Sequence, residues 1–526
     1  MTHQSDNALP HPTQNDRHPE QSEGPLYFGH GANQPVARYP SGPACLALAV
    51  AAAFLSLATT GCMVGPKYVK PTTPTYQAPE AYKDAYKEAD PNWHPATPSD
   101  ANLRGDWWTL FNEPDLSALE AKASTQNQTL QQYEARFTQA RAQIGINRSG
   151  LFPTLVSSLA VTGLRQSAGR PYFNSANLVN GVSDIQLPLT LSYEADLWGR
   201  VRRGINLARE ETQASAADLE TARLSIQAEI AMDYFELRSA DAEVKLLADT
   251  VKDYQEALRI TTNRFEGGVV AESDVFQART QLQTAIVQQS DLAVRRANFE
   301  HAIAVLIGQP PNSFAIPVAP LNAQPPAIPA SLPSQLLERR PDIAAAERRT
   351  AEANERIGIA RAAYFPTLGF SLSAGIESST LANFFSASNI VYALGPVLGE
   401  TLFDAGRRAG VSQQAIAGFQ EASASYRQTT LTAFQQVEDN LSALRILQQE
   451  ADQQRQATEA AQGAQKIFDN RYVGGIDTYL QVVTAQNTAL ANERNDIDIM
   501  RRRMDASVLL IKALGGGWST AQLPRY

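Results

Sequence analysis

The sequence predicts a mixed membrane α/β fold built from two tandem repeats, each a strand hairpin followed by a long helical hairpin. The first observation is a duplication: Asn263-Arg264-Phe265-Glu266-Gly267-Gly268-Val269 returns 207 residues later as Asn470-Arg471-Tyr472-Val473-Gly474-Gly475-Ile476. The same offset pairs Gly199-Arg200 with Gly406-Arg407, Val275 with Val482, Ala278 with Ala485 and Gly308 with Gly515. A match held at one spacing means that a structural unit occurs twice. A second echo, at an offset of 213, pairs Ile144-Gly145-Ile146 with Ile357-Gly358-Ile359 and Phe152-Pro153-Thr154-Leu155 with Phe365-Pro366-Thr367-Leu368. The third observation is a change of period, from helical spacing to strict alternation after each Phe-Pro and back again.

Residues 1–43 are polar and lack hydrophobic periodicity, so no fold is assigned to them. Ala44 to Ala58 is almost wholly apolar, too short to span a bilayer and of the length of a signal-peptide core. The chain is therefore expected to be exported, with residues 1–61 as polar head and signal peptide. Thr59-Thr60-Gly61-Cys62 is similar to a lipoprotein processing site, although Thr59 stands where such sites usually have Leu. Cys62 is the expected lipidation site and first mature residue, and ordinary cleavage near Gly61 is the alternative. Met63 follows rather than Asp, so a lipoprotein here is addressed to the outer membrane. Acyl chains hold it there at about 0.8 kcal/mol per buried CH₂.

Residues 62–113 form an extended arm, because Pro66, Pro71, Pro74, Pro79, Pro91, Pro95 and Pro98 prevent regular helix. Trp107-Trp108 is read as a packing anchor, since buried aromatics are ordinary core material. The first repeat, residues 114–309, opens with a helix from about Leu116 to Ser149. Strands are predicted over Thr154 to Leu164 and around Ile185 to Glu194, where apolar residues take every odd position. From Ile205 to Glu266 there is neither Pro nor Gly, which permits a helix of about 90 Å. Gly267-Gly268 closes it, and Ser273-Asp274 is expected to cap the return helix. Residues 310–333 carry eight prolines and read as the linker between the halves. The second repeat, residues 334–515, copies the plan: Pro341 at a helix start, strands over Leu368 to Glu377 and Val391 to Phe403, a long arm from Arg407, and a turn at Gly474-Gly475 with Asp477-Thr478 as cap. Residues 516–526 are a short C-terminal tail.

Composition excludes more than it suggests. A net charge of −9 with no basic block argues against nucleic acid as a partner. Six His, four of them within the first thirty residues, and two Cys give no metal-ligand spacing and no disulfide framework, so no cofactor is expected. No carboxylate, Ser or His constellation suits nucleophilic or acid–base chemistry, so the chain is not read as an enzyme.

Strands of roughly ten residues with one apolar face suit a tilted crossing of a bilayer. A soluble sheet gives the same alternation, and the export leader decides between them. Four strands cannot close, and an open edge is not tolerated in lipid, so several copies must share one barrel.

Val64-Gly65-Pro66-Lys67-Tyr68, Trp107-Trp108 with Leu116, Tyr193 to Arg203, Glu338-Arg339-Arg340-Pro341-Asp342-Ile343 and Phe403-Asp404-Ala405-Gly406-Arg407-Arg408 together resemble the outer-membrane factors of tripartite efflux systems, the TolC-like superfamily and its lipidated NodT/OprM-type branch. The resemblance covers essentially the whole chain from Cys62 to Leu514. It implies a homotrimer whose four strands per chain close a twelve-stranded outer-membrane β-barrel, continued by a long periplasmic α-helical barrel. It further implies a periplasmic adaptor (membrane fusion) protein and an inner-membrane pump, typically of the resistance-nodulation-division type, as partners.

By position, Arg264, Phe265, Gly267, Gly268, Arg471, Tyr472, Gly474 and Gly475 would be adaptor-docking hairpin tips. Leu480, Gln481 and Thr484 would line the periplasmic aperture, with Asp274 and Asp477 supplying what charge there is. Relatives often carry carboxylates at the positions of Gln481 or Thr484, and this chain does not. The function implied is a passive exit duct for drugs or other small toxic compounds. The alternatives are the exit duct of a type I protein-secretion system and a periplasmic coiled-coil scaffold with no pore.

Overall fold

A computed structural model describes residues 63–72, 105–165, 167, 181–321, 323–326, 328 and 339–526. Cys62, the apolar leader and part of the linker lie outside the described residues. The first half contains α1 (Pro114–Gln126), α2 (Gln128–Ser149), β1 (Thr154–Ser157), β2 (Ala160–Leu164), β3 (Val182–Ala195), α3 (Arg200–Glu266) and α4 (Glu272–Leu306). The second contains α5 (Pro341–Ala362), β4 (Thr367–Ser378), β5 (Ile390–Gly399), α6 (Arg407–Val473) and α7 (Tyr479–Ala513).

The duplication reaches the ends of the elements. Helices α3 and α6 are both 67 residues long, about 100 Å. Helices α4 and α7 both have 35 residues, and α2 and α5 both have 22. Each long helix is released at its N-terminus by a left-handed glycine, Gly199 at φ 80° and Gly406 at φ 86°, a conformation that costs other residues a steric clash with their own Cβ.

Two short helices stack end to end on the return arms, so the wall consists of four columns: α2 on α4, then α3, then α5 on α7, then α6. The joints are built alike. Asn127 Nδ2 donates to the carbonyl of Leu306 at 2.6 Å, and Arg340 Nη1 donates to the carbonyl of Ala513 at 3.0 Å. Each joint satisfies a helix-terminal carbonyl that would otherwise be orphaned. A Cβ on Gly308 would lie 2.3 Å from the carbonyl oxygen of Gln126, and one on Gly515 would lie 2.3 Å from that of Arg339. Glycine at both places lets the columns meet. The first joint also corrects the expectation of one helix from Leu116 to Ser149. The helix breaks at Asn127, whose Oδ1 accepts from the Leu130 N–H at 2.9 Å and starts α2 afresh.

The strands form one antiparallel sheet in the order β1/β2, β3, β4, β5, with β1 and β2 both paired to β3. The expected strand from Thr154 to Leu164 is thus interrupted. The register is nevertheless unbroken: Ser157 faces Leu189 and Ala160 faces Gln186. The cause is Pro188, whose carbonyl accepts from Ser158 at 3.4 Å but whose nitrogen has no hydrogen to return. On its other side Pro188 faces Gly375, where any Cβ would lie 2.6 Å from the Pro188 Cα. The last strand ends at Gly399, short of the expected Phe403.

Register assigns the two faces. Opposite residues share a face, which sets Leu187 beside Ile376 and Ile390, Leu191 beside Leu155, Leu372 and Leu394, and Tyr193 beside Phe370 and Pro396. The other face carries Thr190, Ser192, Ser371, Ser373, Gly369, Gly395 and Glu194. One side is therefore mostly apolar, and the other mixes these polar and small residues with Val156, Val391 and Val397. Among the described residues no helix is long and apolar enough to cross a membrane.

The largest apolar core lies midway along the columns, where Trp107, Phe111, Leu116, Tyr234, Phe235, Ile303, Val508 and Ile511 are buried together. Trp107 is 1 % exposed and its Nε1 donates to Gln227 at 3.3 Å, so the aromatic pair anchors packing as expected. The linker is clamped beside this core by charge. Arg238 donates to the carbonyl of Pro317, Arg296 to that of Ile316, and Asp241 accepts from the Ala319 N–H. Residues 63–72 lie along α3 and α5: Arg203 donates to the carbonyls of Val64 and Pro66, and Tyr68 donates to Glu347 at 3.0 Å. Gly358 leaves room for Arg203, since a Cβ there would fall 2.1 Å from the Arg203 Cδ.

Candidate functional site

The two Gly-Gly turns lie side by side at the ends of the columns remote from the sheet. Each closes its long helix with the same three backbone bonds. In the first, Gly267, Gly268 and Val269 donate to the carbonyls of Asn263, Phe265 and Arg264; in the second, Gly474, Gly475 and Ile476 donate to those of Asn470, Tyr472 and Arg471. Gly268 and Gly475 are left-handed, at φ 72° and 75°, as this helix ending requires. Neither return helix is capped by the side chains expected. The N-caps are Ala271 and Thr478, and neither makes a side-chain capping bond. Asp274 lies in the first turn of α4, and Asp477 is engaged elsewhere.

Arg264 and Arg471 are equivalent by sequence offset, yet the structure gives them different work. Arg264 crosses to the other turn, where Nη1 donates to the carbonyl of Tyr472 at 2.6 Å and the guanidinium lies 4.7 Å from the Tyr472 ring. Arg471 folds onto its own turn and forks Asp477, at 2.5 and 3.3 Å. That hydrogen bond raises the Arg471 pKa. The difference follows from the residue at the opposing position, Asp477 in the second copy and Val270 in the first. Tyr472 is buried, tilted against Tyr479 at 5.3 Å, and packed with Ala278 and Val482. Burial, followed by the neighbouring Tyr472 and Tyr254, pushes the Tyr479 hydroxyl above its ordinary range. Of the eight tip residues expected from sequence, Tyr472 therefore has its side chain inside, and Arg264 reaches across the cleft. The surface left open sets an apolar group, Phe265, Val269, Val473 and Ile476, around the glycines beside the exposed Glu266 and Arg471.

Leu480, Gln481 and Thr484 lie on one exposed stripe of α7, while Tyr479, Val482 and Ala485 face inward to the tip cluster. The stripe continues through Asn487 and Thr488 and holds no carboxylate over this stretch. Asp274 is half-buried and Asp477 is held by Arg471. The cross-link from Arg264 was not foreseen. Its signal was present in the repeat itself, where one arginine of an equivalent pair lacks the acid that occupies the other.

A sheet with one apolar face, prolonged by four helical columns, two of them single helices about 100 Å long, that end in tips joined through Arg264, fits a channel-type transport protein of a membrane. A family model described as outer membrane efflux protein matches residues 119–309 and 332–516, and the chain belongs to that family. It is 32% identical over 466 residues to the toluene efflux pump outer membrane protein TtgF of Pseudomonas putida, covering 88% of this chain and 96% of the relative. It is 30% identical over 483 residues to the outer membrane protein OprJ of Pseudomonas aeruginosa, covering 90% and 96%. The crystal structure of the open state of the Neisseria gonorrhoeae MtrE outer membrane channel superposes with a TM-score of 0.73 at 27% identity, covering 87% of this chain and 99% of that one. The chain is accordingly an outer-membrane efflux duct and not an enzyme.

Proposed function

We propose that three copies of this chain close a twelve-stranded barrel and a helical tunnel, which together act as the passive exit of a tripartite efflux system for drugs or other small toxic compounds. The observation that carries the reading is the pair of open sheet edges. Among the described residues strands β1/β2 and β5 each have one partner, and a neighbouring copy would pair them inside lipid. A periplasmic adaptor would dock on the apolar rim around Phe265, Gly267, Gly268, Gly474 and Gly475. An inner-membrane pump, in this reading of the resistance-nodulation-division type, would deliver the cargo.

Opening is the step the chain controls. The tips are joined by one charged contact, Arg264 to Tyr472, over a small aromatic cluster, so parting them costs the contact and exposes Tyr472. A partner that binds the parted form more tightly shifts the balance toward it. The exposed stripe of Leu480, Gln481 and Thr484 would line the aperture, with Asp274 and Asp477 supplying what charge there is. A lipid on Cys62 is supported by its neighbour: Met63 packs on Gly199, and Val64 donates to the Trp198 carbonyl, where the sheet gives way to the columns. An acyl chain starting there would lie at the membrane surface.

The test is conduction by the full-length protein in a planar bilayer. Wild-type protein is expected to be trimeric in detergent and to conduct mostly in a small, closed-like state, and Arg264→Ala is expected to raise the open fraction several-fold. A monomer without conductance would overturn the reading.

A further inference from the structure

The four columns next to the sheet have two unlike faces. On α5, Glu347, Asn354 and Gly358 meet the N-terminal strap. Gln213 donates to the Pro524 carbonyl, and Trp518 packs on Ala217, Ala344 and Ala345, so the C-terminal tail covers part of the wall as well. At 3.6 residues per turn, Arg349, Glu352 and Arg356 point away from the strap. They border an open cleft of about 600 Å³ whose other walls include Arg136, Glu211 and Asp218. A duct can be clear only on the face its own straps do not occupy.

On that face the charges come in pairs. Arg349 Nη2 donates to Asp218 across the α3–α5 groove, and Arg356 Nη2 donates to Glu352 at 2.5 Å. The two arginines stay 51% and 60% exposed, so their charge faces water. With Arg136 and Glu211 this cleft holds three cations and three carboxylates, and a second cleft bordered by the same two arginines adds Glu421 and an Asp342 that Arg340 holds, although the chain as a whole carries −9. We propose that Arg349 and Arg356 offset the acids of a band on the inner wall of the duct, so that anionic and zwitterionic solutes pass it more readily than the carboxylates alone would allow. The proposal rests on the duct reading above. Rings of like charge around a pore select the opposite ion, and each chain of a trimer would repeat the band, so one lost arginine would leave three uncompensated acids.

Reversal potentials of the full-length protein in planar bilayers under a KCl gradient test this. Arg349→Gln is expected to raise cation-over-anion permeability by about twofold or more, Asp218→Asn to lower it, and Arg349→Lys to leave it near wild type. Both positions are at the surface, and unchanged conductance amplitude with an unchanged oligomer would show that the variants fold. If all variants conduct and neither Arg349→Gln nor Asp218→Asn moves the reversal potential, the band does not face the pore and the proposal falls while the duct stands. A wild-type preparation without conductance would overturn the duct and the band together.

Discussion

Glu120, on α1, is wholly buried, and neither carboxylate oxygen has a hydrogen-bonding partner among the described residues. Burial pushes its pKa up to about 9, so at neutral pH the folded chain holds a proton that the unfolded chain releases. Stability from this group is full below the unfolded value of about 4.3 and declines as pH rises toward the folded one. Glu120→Gln is therefore expected to raise the thermal midpoint at pH 8 and to have little effect at pH 4, as a melting series in detergent would register. The tip glycines make the opposite case, a residue chosen for its backbone. Gly475 is at φ 75°, which proline cannot adopt. Gly475→Pro is expected to leave assembled protein in the membrane and to abolish export, measured as drug susceptibility of the cells; normal tolerance would refute the tip assignment. Gly475 was legible in the sequence because a Gly pair recurs at the repeat offset. Glu120 was not, because nothing in its neighbourhood marks one acid of a helix as dry.

The elements were largely legible, and the places where they were not have local causes. A long run without Pro or Gly gave α3, the repeat offset gave α6, and alternation gave β3 and β4. The break between β1 and β2 was hidden because it originates across the sheet, in the missing donor of Pro188, and not in residues 158–159 themselves. Pro188→Thr is expected to join β1 and β2 into one strand and to slow amide exchange at Ser158 to Ala160. The joints between columns were also beyond a single segment's reading, since Asn127 and Arg340 act on carbonyls 179 and 173 residues away in sequence. Gly308→Ala places a methyl 2.3 Å from a backbone oxygen at φ 72°, a strain of about 1–3 kcal/mol. It is expected to lower the denaturation midpoint, whereas Gly145→Ala, with nothing within 4 Å, is expected to stabilise α2 slightly.

At the scale of the whole molecule the sheet register makes a claim that can be checked in lipid. Leu394 lies on the apolar face beside Leu372, and Ser373 lies on the opposite face beside Ala393. A lysine at the bilayer midplane costs about 2–4 kcal/mol on the lipid side and little on the lumen side. Leu394→Lys is thus expected to lose outer-membrane insertion, and Ser373→Lys to insert normally while changing conductance; equal insertion of the two would invert the assignment of faces. By itself the sequence determined the duplicated plan, the lengths of its arms, the turn glycines and the presence of strands with one apolar face. All of these are periodicities or conformational limits carried by neighbouring residues. Only the tertiary structure decided which strand faces share a side, how short helices complete the columns, and which arginine of an equivalent pair crosses between the tips. Those depend on groups far apart in the chain meeting within hydrogen-bonding distance, and pattern along the backbone does not encode that distance.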